Sequence, residues 1–504
     1  MFPYLEILVF LPAVAGVLVF FFPSEFPKRY YKGLGVLVSS VEFIVAAAML
    51  VQFKTGVGGY QMISRYHWIP EFGITWSLGV DGISLFLVIL SAILFPIAIF
   101  GSKETKDPKT FIAWMLILEA ACVGSFLVLD LFDFFLMFEL TLIPTYFLMS
   151  NWGFALGGRA AVKFFVYTFL GSAFLLIGIL ALVFIHDGGT GQVTFSIVAL
   201  AHTQMSSTAG RLLFLAFSIA FLIKAPVFPF HTWSPDAYSQ SPISTAIVLG
   251  GIMAKLGTYG IIRFDFQLFP QASRSLGWLI LTLAVVGIVY GAITAAGESH
   301  LSRLVAYSSL SHMGFIVLGL FAFTQIGLAG AVLQMFNHGI YTAALFLLLG
   351  MIYARRKTLD TSKLAGIQSK APVMAGIFTL VMLASIGLPG LNGFVGEFMI
   401  LLGTFISHRW WAVVGVSGVV FSAVYMLWAY QKVFHRRDPE QRSFRDLSVR
   451  EVATLVPLVI LIVGVGIFPN LLLSRIDPSV HKVLSDATTQ SVAYHSSLGK
   501  VAGR

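Results

Sequence analysis

The chain has 504 residues, of which 58% are hydrophobic and only 11% charged. Soluble globular proteins carry about 25% charged residues. No fold of this length hides so much apolar surface from water, so the solvent must be lipid. The net charge of +9 fits basic loops on one side of a membrane and gives no reason to invoke nucleic acid. The single cysteine, Cys122, excludes a disulfide framework, a cysteine-ligated iron–sulfur cluster and a structural zinc site, and no metal site is expected.

Apolar runs of roughly 20 residues cross a bilayer core of about 30 Å. In chain order they predict fourteen spanning helices: 3–23, 33–53, 82–101, 111–129, 130–150, 162–185, 211–231, 241–264, 275–297, 303–323, 326–353, 371–404, 409–434 and 451–472. The first is a spanning helix rather than a cleaved signal, because no small-residue cleavage site follows it. The glycine-rich HDGGTGQ at 186–192 lies in a loop after helix 6. It lacks the preceding strand and the lysine of a phosphate loop. The tail, 473–504, is too short and polar for a lateral helix with a further anchor. The expected organisation is an N-terminal three-helix segment (1–110), two helical units (111–264 and 265–435), then a last spanning helix with its tail (436–504).

Charge tests this map. Loops that follow odd-numbered helices hold 20 basic residues, Lys103 and Arg442 among them, against 10 for the other side including the tail. The positive-inside rule then places the odd loops in the cytoplasm and both termini outside. Lys224 and Lys255, the two basic residues left over, lie inside helices.

A charge at the bilayer centre costs about 2.5–3.5 kcal/mol on insertion scales. This chain places Glu139, Lys224, Lys255 and Glu397 there, with His312 and His338 at similar depth. His231, Asp236 and Glu119 are possible supports. Burial disfavours the charged form of a lysine or a carboxylate, and pairing the two restores it. Histidine titrates near neutrality. Such a string suits proton transfer. For any one of these groups a structural ion pair, or for His338 a hydrogen-bonded core histidine, is the alternative reading.

Helix breakers accompany the charges. Pro226 and Pro229 follow Lys224, and Gly387, Pro389, Gly390, Gly393 and Gly396 precede Glu397. Irregular backbone at membrane depth survives only when buried in protein or lining a hydrated cavity. The two breaks are five helices apart, and a five-helix repeat has an odd count, so a second copy runs inverted, as in secondary transporters.

The segments FELTLIPTYFLM, IKAPVFPFHTWSPDAYSQSP, AKLGTYGIIRF, LVAYSSLSHMG, FNHGIYTAALFLLLGM and LPGLNGFVGEF resemble, in order and spacing, the antiporter-like membrane subunits of proton-pumping NADH:quinone oxidoreductase, respiratory complex I. The resemblance covers about residues 80–435. It is strongest to the M-type subunits, because Glu397 stands where L- and N-type subunits and the Mrp-type sodium/proton antiporters usually have lysine. It implies an all-α fold of fourteen helices with inverted repeats over helices 4–8 and 9–13 and with helices 7 and 12 broken. It implies proton translocation with Lys224 paired to Glu139, Lys255, His312 and His338 as relay, and Glu397 on the exit route. It implies no cofactor in this chain. NADH, FMN, iron–sulfur clusters and quinone would belong to partner subunits, and L- and N-type subunits would be neighbours in a bacterial inner membrane. Ser302 departs from the pattern, since the family often has lysine there. The alternatives are an Mrp-type cation/proton antiporter subunit and a scaffold subunit of a membrane hydrogenase.

Overall fold

The computed structural model describes residues 2–23, 27–102, 106–438 and 443–501, with side chains as far as Thr489. Lys103, Arg442 and Arg504, used in the charge count, lie outside the described residues. Thirteen helices are long and apolar enough to cross a membrane. They are helix 1 (Tyr4–Phe21), 2 (Lys28–Gln52), 3 (Gly82–Gly101), 4 (Pro108–Leu127), 5 (Leu131–Trp152), 6 (Gly157–Thr190), 7 (Ser207–Lys224), 8 (Ile243–Leu268), 9 (Gly277–Gly297), 10 (Leu301–Leu320), 11 (Gln325–Arg356), 13 (Arg409–His435) and 14 (Val449–Ile467). Helix 12 completes fourteen as two apolar halves, Pro372–Ser385 and Asn392–Ser407.

The alternation of the crossings is written in the contacts between their ends. Even-numbered junctions meet on one face: Leu78 bridges Val128 and Asp130 bridges Ser196. The Gln325 amide donates to the Asp477 carbonyl at 3.0 Å. Odd-numbered junctions meet on the other: His300 bridges Asp360, Phe154 N donates to Gln240 O at 2.8 Å, and Arg450 donates to Phe100 O at 3.0 Å.

Polar caps end the apolar runs. Asp81 and Ser84 form a capping box on helix 3, and Ser448 and Glu451 form another on helix 14. Asp130 caps helix 5 through Phe132 N at 3.0 Å. Each cap satisfies orphan N–H groups that the apolar sequence around it cannot.

Three features differ from the expectations. A two-stranded antiparallel hairpin, β1 (Gln61–Ile69) and β2 (Ile74–Val80), follows helix 2. Its strands alternate poorly between apolar and polar, which hides them from a periodicity reading. Helix 6 continues through His186, Asp187 and two glycines to Thr190, so HDGGTGQ is mainly a helix end. The tail is not featureless: residues Asn470–Val501 form a helix. Ile476, Val480, Val483 and Ala487 are buried, and at intervals of three and four they form one apolar stripe.

That stripe docks on the even face. Gly82 N donates to Ser479 Oγ at 2.9 Å, and a Cβ on Gly82 would collide with the Arg475 carbonyl. Arg263, counted above as a loop charge, is 2% exposed in helix 8 and ion-paired to Asp81. Asp81 thus caps helix 3 and neutralises Arg263 together.

Burial grades inward. Helix 8 is buried along its length, and helices 10 and 11 nearly so, whereas helices 1, 2, 13 and 14 bury well under half of their residues. The polar residues of helices 8, 10 and 11 therefore face protein, not lipid.

Gly82→Ala should lower the thermal unfolding midpoint in mild detergent, at a cost of about 1–3 kcal/mol for overpacking. Gly158→Ala, where a Cβ meets nothing within 4 Å, should leave the midpoint unchanged.

Candidate functional site: a buried polar line

Helix 5 is interrupted at Thr141, between Leu131–Leu140 and Leu142–Trp152. Pro144 lacks the N–H that would bond back to Leu140. Glu139 sits at this kink, half-buried, with Oε1 unpartnered. Lys224 closes helix 7 and is 2% exposed. Its ammonium donates to Thr141 Oγ1 at 2.7 Å and lies 4.5 Å from the Phe138 ring centroid, a cation–π contact. Lys224 and Glu139 are close enough to interact electrostatically, but the direct partner of the lysine is Thr141.

The break after Lys224 is stabilised by its own residues. Pro226 has no N–H for Leu222 O, and Val227 N takes that carbonyl instead at 3.0 Å. The displaced carbonyl of Ile223 accepts the Trp233 indole at 2.9 Å. The Phe228–Pro229 peptide is cis. The chain resumes as a short helix, Ser234–Gln240.

Helix 8 is wound as a π-helix over Leu249–Met253 and Ile261–Asp265. Such turns commonly mark functional sites in α-helices. Between them lies Lys255, 0% exposed. Its ammonium donates to the Gly250 carbonyl within the first π turn and to His338 Nδ1 at 2.6 Å. With Nδ1 accepting, the His338 proton sits on Nε2, which has no other partner.

The line continues across helices 11, 10 and 12. The His338 and His312 rings are 5.7 Å apart, and Tyr341 packs within 5.6 Å of both. His312 Nδ1 is 2.9 Å from Glu397 Oε1 but out of line for a hydrogen bond. Gln334 Nε2 holds that same carboxylate oxygen at 3.2 Å and the Tyr341 hydroxyl at 3.3 Å. Gly396 lets Gln334 approach, since a Cβ there would overlap its amide.

Helix 12 breaks between Ser385 and Asn392, with Gly387 at φ +76° and Gly390 at φ +91°. These left-handed conformations suit glycine. Asn337 Nδ2 donates to Asn392 O at 2.7 Å, and Asn392 Nδ2 returns to Asn337 O at 3.4 Å. The two buried amides fasten the broken helix to helix 11 beside Glu397.

Lys255, His338, His312 and Glu397 thus form one contiguous line. Lys224, Thr141 and Glu139 form a separate group, and no hydrogen bond joins the two among the described residues. The supporting candidates fall outside both. His231 stacks between Phe228 and Tyr290 with Nδ1 unpartnered. Asp236 is in a partly exposed ionic cluster with Lys163 at 2.6 Å and Arg303 at 3.0 Å, and Arg303 also holds Glu298 at 3.0 Å. Glu119 lies between helices 4 and 2, bonded to Ser39 at 2.5 Å. Among the described residues no group of three His, Cys, Asp or Glu could hold a metal ion.

Residues 129–422 match the family described as NADH:quinone oxidoreductase/Mrp antiporter, transmembrane. NADH-quinone oxidoreductase subunit M of Rickettsia prowazekii is 37% identical over 96% of this chain and 99% of its own length. The chain belongs to this family, among its M-type subunits. A chain of respiratory complex I from Thermus thermophilus superposes with a TM-score of 0.85 at 30% identity, covering 95% of this chain and 99% of that one. A chain of the Mrp complex from Dietzia superposes with a TM-score of 0.82 at 22% identity, over 97% and 99%, and shows the shared fold alone.

Thr141, Gln334, Asn337, Tyr341 and Asn392 surround the candidate site residues, and residue type alone does not single them out. Their signal is position: each lies within four residues of a charged residue, a buried histidine of the line or a helix break. Asn337→Ala should remove the hydrogen bond that fastens Asn392 O to helix 11, at about 1 kcal/mol. The thermal midpoint of the purified protein should fall accordingly, with helix content retained by circular dichroism.

Proposed function

We propose that this chain is the proton-translocating M-type subunit in the membrane arm of NADH:quinone oxidoreductase. The observation that carries this reading is the line Lys255–His338–His312–Glu397, which runs across helices 8, 11, 10 and 12 with each of its side chains buried. NADH oxidation, FMN, the iron–sulfur clusters and quinone belong to partner subunits, and this chain performs no redox chemistry. Its neighbours in the arm are the L- and N-type subunits. It is a translocase component of a bacterial inner membrane with both termini outside. The division of basic residues, 20 against 9 once the buried Arg263 is taken out of the 10, supports that orientation, and the gathering of odd junctions on one face supports the alternation of crossings.

The broken helices 7 and 12, five apart, support two inverted units over 111–264 and 265–435, preceded by 1–110 and followed by 436–504. In the first unit Lys224 and Glu139 gate a proton from the cytoplasm. When Glu139 swings toward the ammonium, the lysine is favoured charged; when it withdraws, the lysine gives its proton onward. Lys255 takes the proton and passes it to His338 Nδ1. The neutral ring releases from Nε2 as it accepts at Nδ1, and His312 repeats this toward Glu397. Tyr341 and Gln334 fix the rings and the carboxylate, and Glu397 releases the proton outward. Quinone reduction elsewhere biases these steps electrostatically through the arm.

An Mrp-type antiporter is disfavoured by the acid at 397 and by the near full-length identity to M subunits. A hydrogenase scaffold would have no need for an ammonium held only by neutral partners.

Glu139→Gln and Lys224→Ala, each in an assembled complex, should cut NADH-driven proton translocation by about tenfold or more, on the scale of about 1.4 kcal/mol per decade in rate. Pumping retained at the wild-type ratio to quinone reduction would overturn the assignment. Sodium-dependent exchange by the isolated chain would favour the antiporter.

A further inference from the structure

A second buried acidic site lies away from the polar line. Glu42 of helix 2 and Glu119 of helix 4 are both 0% exposed. Ser39, one turn before Glu42, donates to Glu119 Oε2 at 2.5 Å. Glu119 Oε1 and both oxygens of Glu42 receive no hydrogen bond from any neighbouring donor. The Ser39–Glu119 hydrogen bond sets Glu42, one turn along helix 2, beside Glu119, near enough for the two carboxyls to interact electrostatically.

The elements packed around them offer no counter-charge. Helix 1 carries only Glu6, at its outer end, and helix 3 carries no charged residue. Lys28, Arg29 and Lys32 of helix 2 and Lys109 of helix 4 lie in the first turns of their helices. Lys32 and Lys109 are each ten residues from the nearer glutamate, about 15 Å along an α-helix. Helix 5 adds only the acids Asp133 and Glu139. On helix 8, Lys255 and Arg263 are bonded to His338 and Asp81.

Two neighbouring carboxylates at this depth, with a single hydroxyl donor that reaches only Glu119, cannot both be ionised. Each charge would be desolvated without a partner and repelled by the other. We propose that Glu42 and Glu119 form a second proton-holding site, in which one proton is shared between the two carboxyls and Ser39 orients Glu119. Cys122, one turn beyond Glu119, is near enough to Lys224 to interact with its charge. Loss of the shared proton would therefore add a second negative charge to the pair, one turn from a residue near Lys224. The proposal stands on the geometry of helices 2 and 4 and does not depend on the route through Lys255.

Infrared spectroscopy of the purified full-length protein at neutral pH, in sodium-free buffer and then with sodium, tests it. The wild type should show the carbonyl stretch of a protonated carboxylic acid, insensitive to sodium. The band should shift in Glu42→Gln and in Glu119→Gln and disappear in the double variant. Ser39→Ala keeps both carboxyls and should shift the band by removing the hydroxyl donor, so it serves if the double variant does not fold. A spectrum unchanged by the double substitution, or by Ser39→Ala, would overturn the proposal. So would a band seen only without sodium, since a cation rather than a proton would then occupy the site.

Discussion

Backbone inside a bilayer must satisfy its own hydrogen bonds, because no water is present to do so. This protein interrupts its helices at that depth four times: at Thr141, after Lys224, along helix 8, and between Ser385 and Asn392. Each interruption disturbs the carbonyl ladder, and side chains take up much of what it leaves. Trp233 covers the Ile223 carbonyl and Lys255 that of Gly250, while Asn337 ties the restart of helix 12 to helix 11. The interruptions also coincide with Glu139, Lys224, Lys255 and Glu397. At Lys255 the coincidence has a direct cause: the Gly250 carbonyl released by the π turn is a strong dipole, and a buried ammonium needs dipoles when water is excluded.

Buried cations here fall into two kinds. Arg263 is held by a carboxylate, Asp81, which is itself locked as a helix cap. Such a pair is static, since removing either partner leaves an uncompensated charge. Lys255 has only a carbonyl and an imidazole, and Lys224 only a hydroxyl and an aromatic face. Neutral partners stabilise an ammonium without fixing it, and they remain satisfied partners for a neutral amine. A group that must gain and lose a proton is better served by the second arrangement. The same distinction separates Asp236, held between two surface cations, from Glu397, held by an amide and a histidine.

The sequence was legible where one residue carried the physics. The fourteen crossings followed from apolar length, and the breaks in helices 7 and 12 from Pro226, Pro229 and the glycines before Glu397. The line from Lys255 to Glu397 followed from the rarity of ionisable groups at that depth. Illegible were the parts that depend on packing. The hairpin 61–80 lacks clear alternation, and the tail helix is apolar only on the stripe that docks against helix 3. Glu42 lies in a run, SSVEFIV, that reads as an ordinary spanning segment, and only its juxtaposition with Glu119 gives it meaning. Thr141, Asn337 and Gln334 are neutral, and neutral polar residues are common in helices. The π turns of helix 8 at Leu249–Met253 and Ile261–Asp265 share no residue pattern that a reading of the sequence could use.

The gap between Lys224 and Lys255 is the step where control can act. From Lys255 to Glu397 the partners already stand within or near contact distance, so a proton arriving at Lys255 meets a short relay. Between the two lysines there is no bridging hydrogen bond among the described residues, and the Lys224 ammonium points instead to Thr141. Gly257 of helix 8 packs directly on the end of helix 7, where a Cβ would press on Ala225. The backbones of helices 7 and 8 are thus in direct contact at this point. On the proposed route, transfer would have Lys224 leave Thr141 or helix 7 shift at its break, and either motion would respond to charge at Glu139. A relay connected throughout would conduct in both directions. One that is complete except at a charge-sensitive break can be timed by an event elsewhere in an assembly, as a coupled translocase requires.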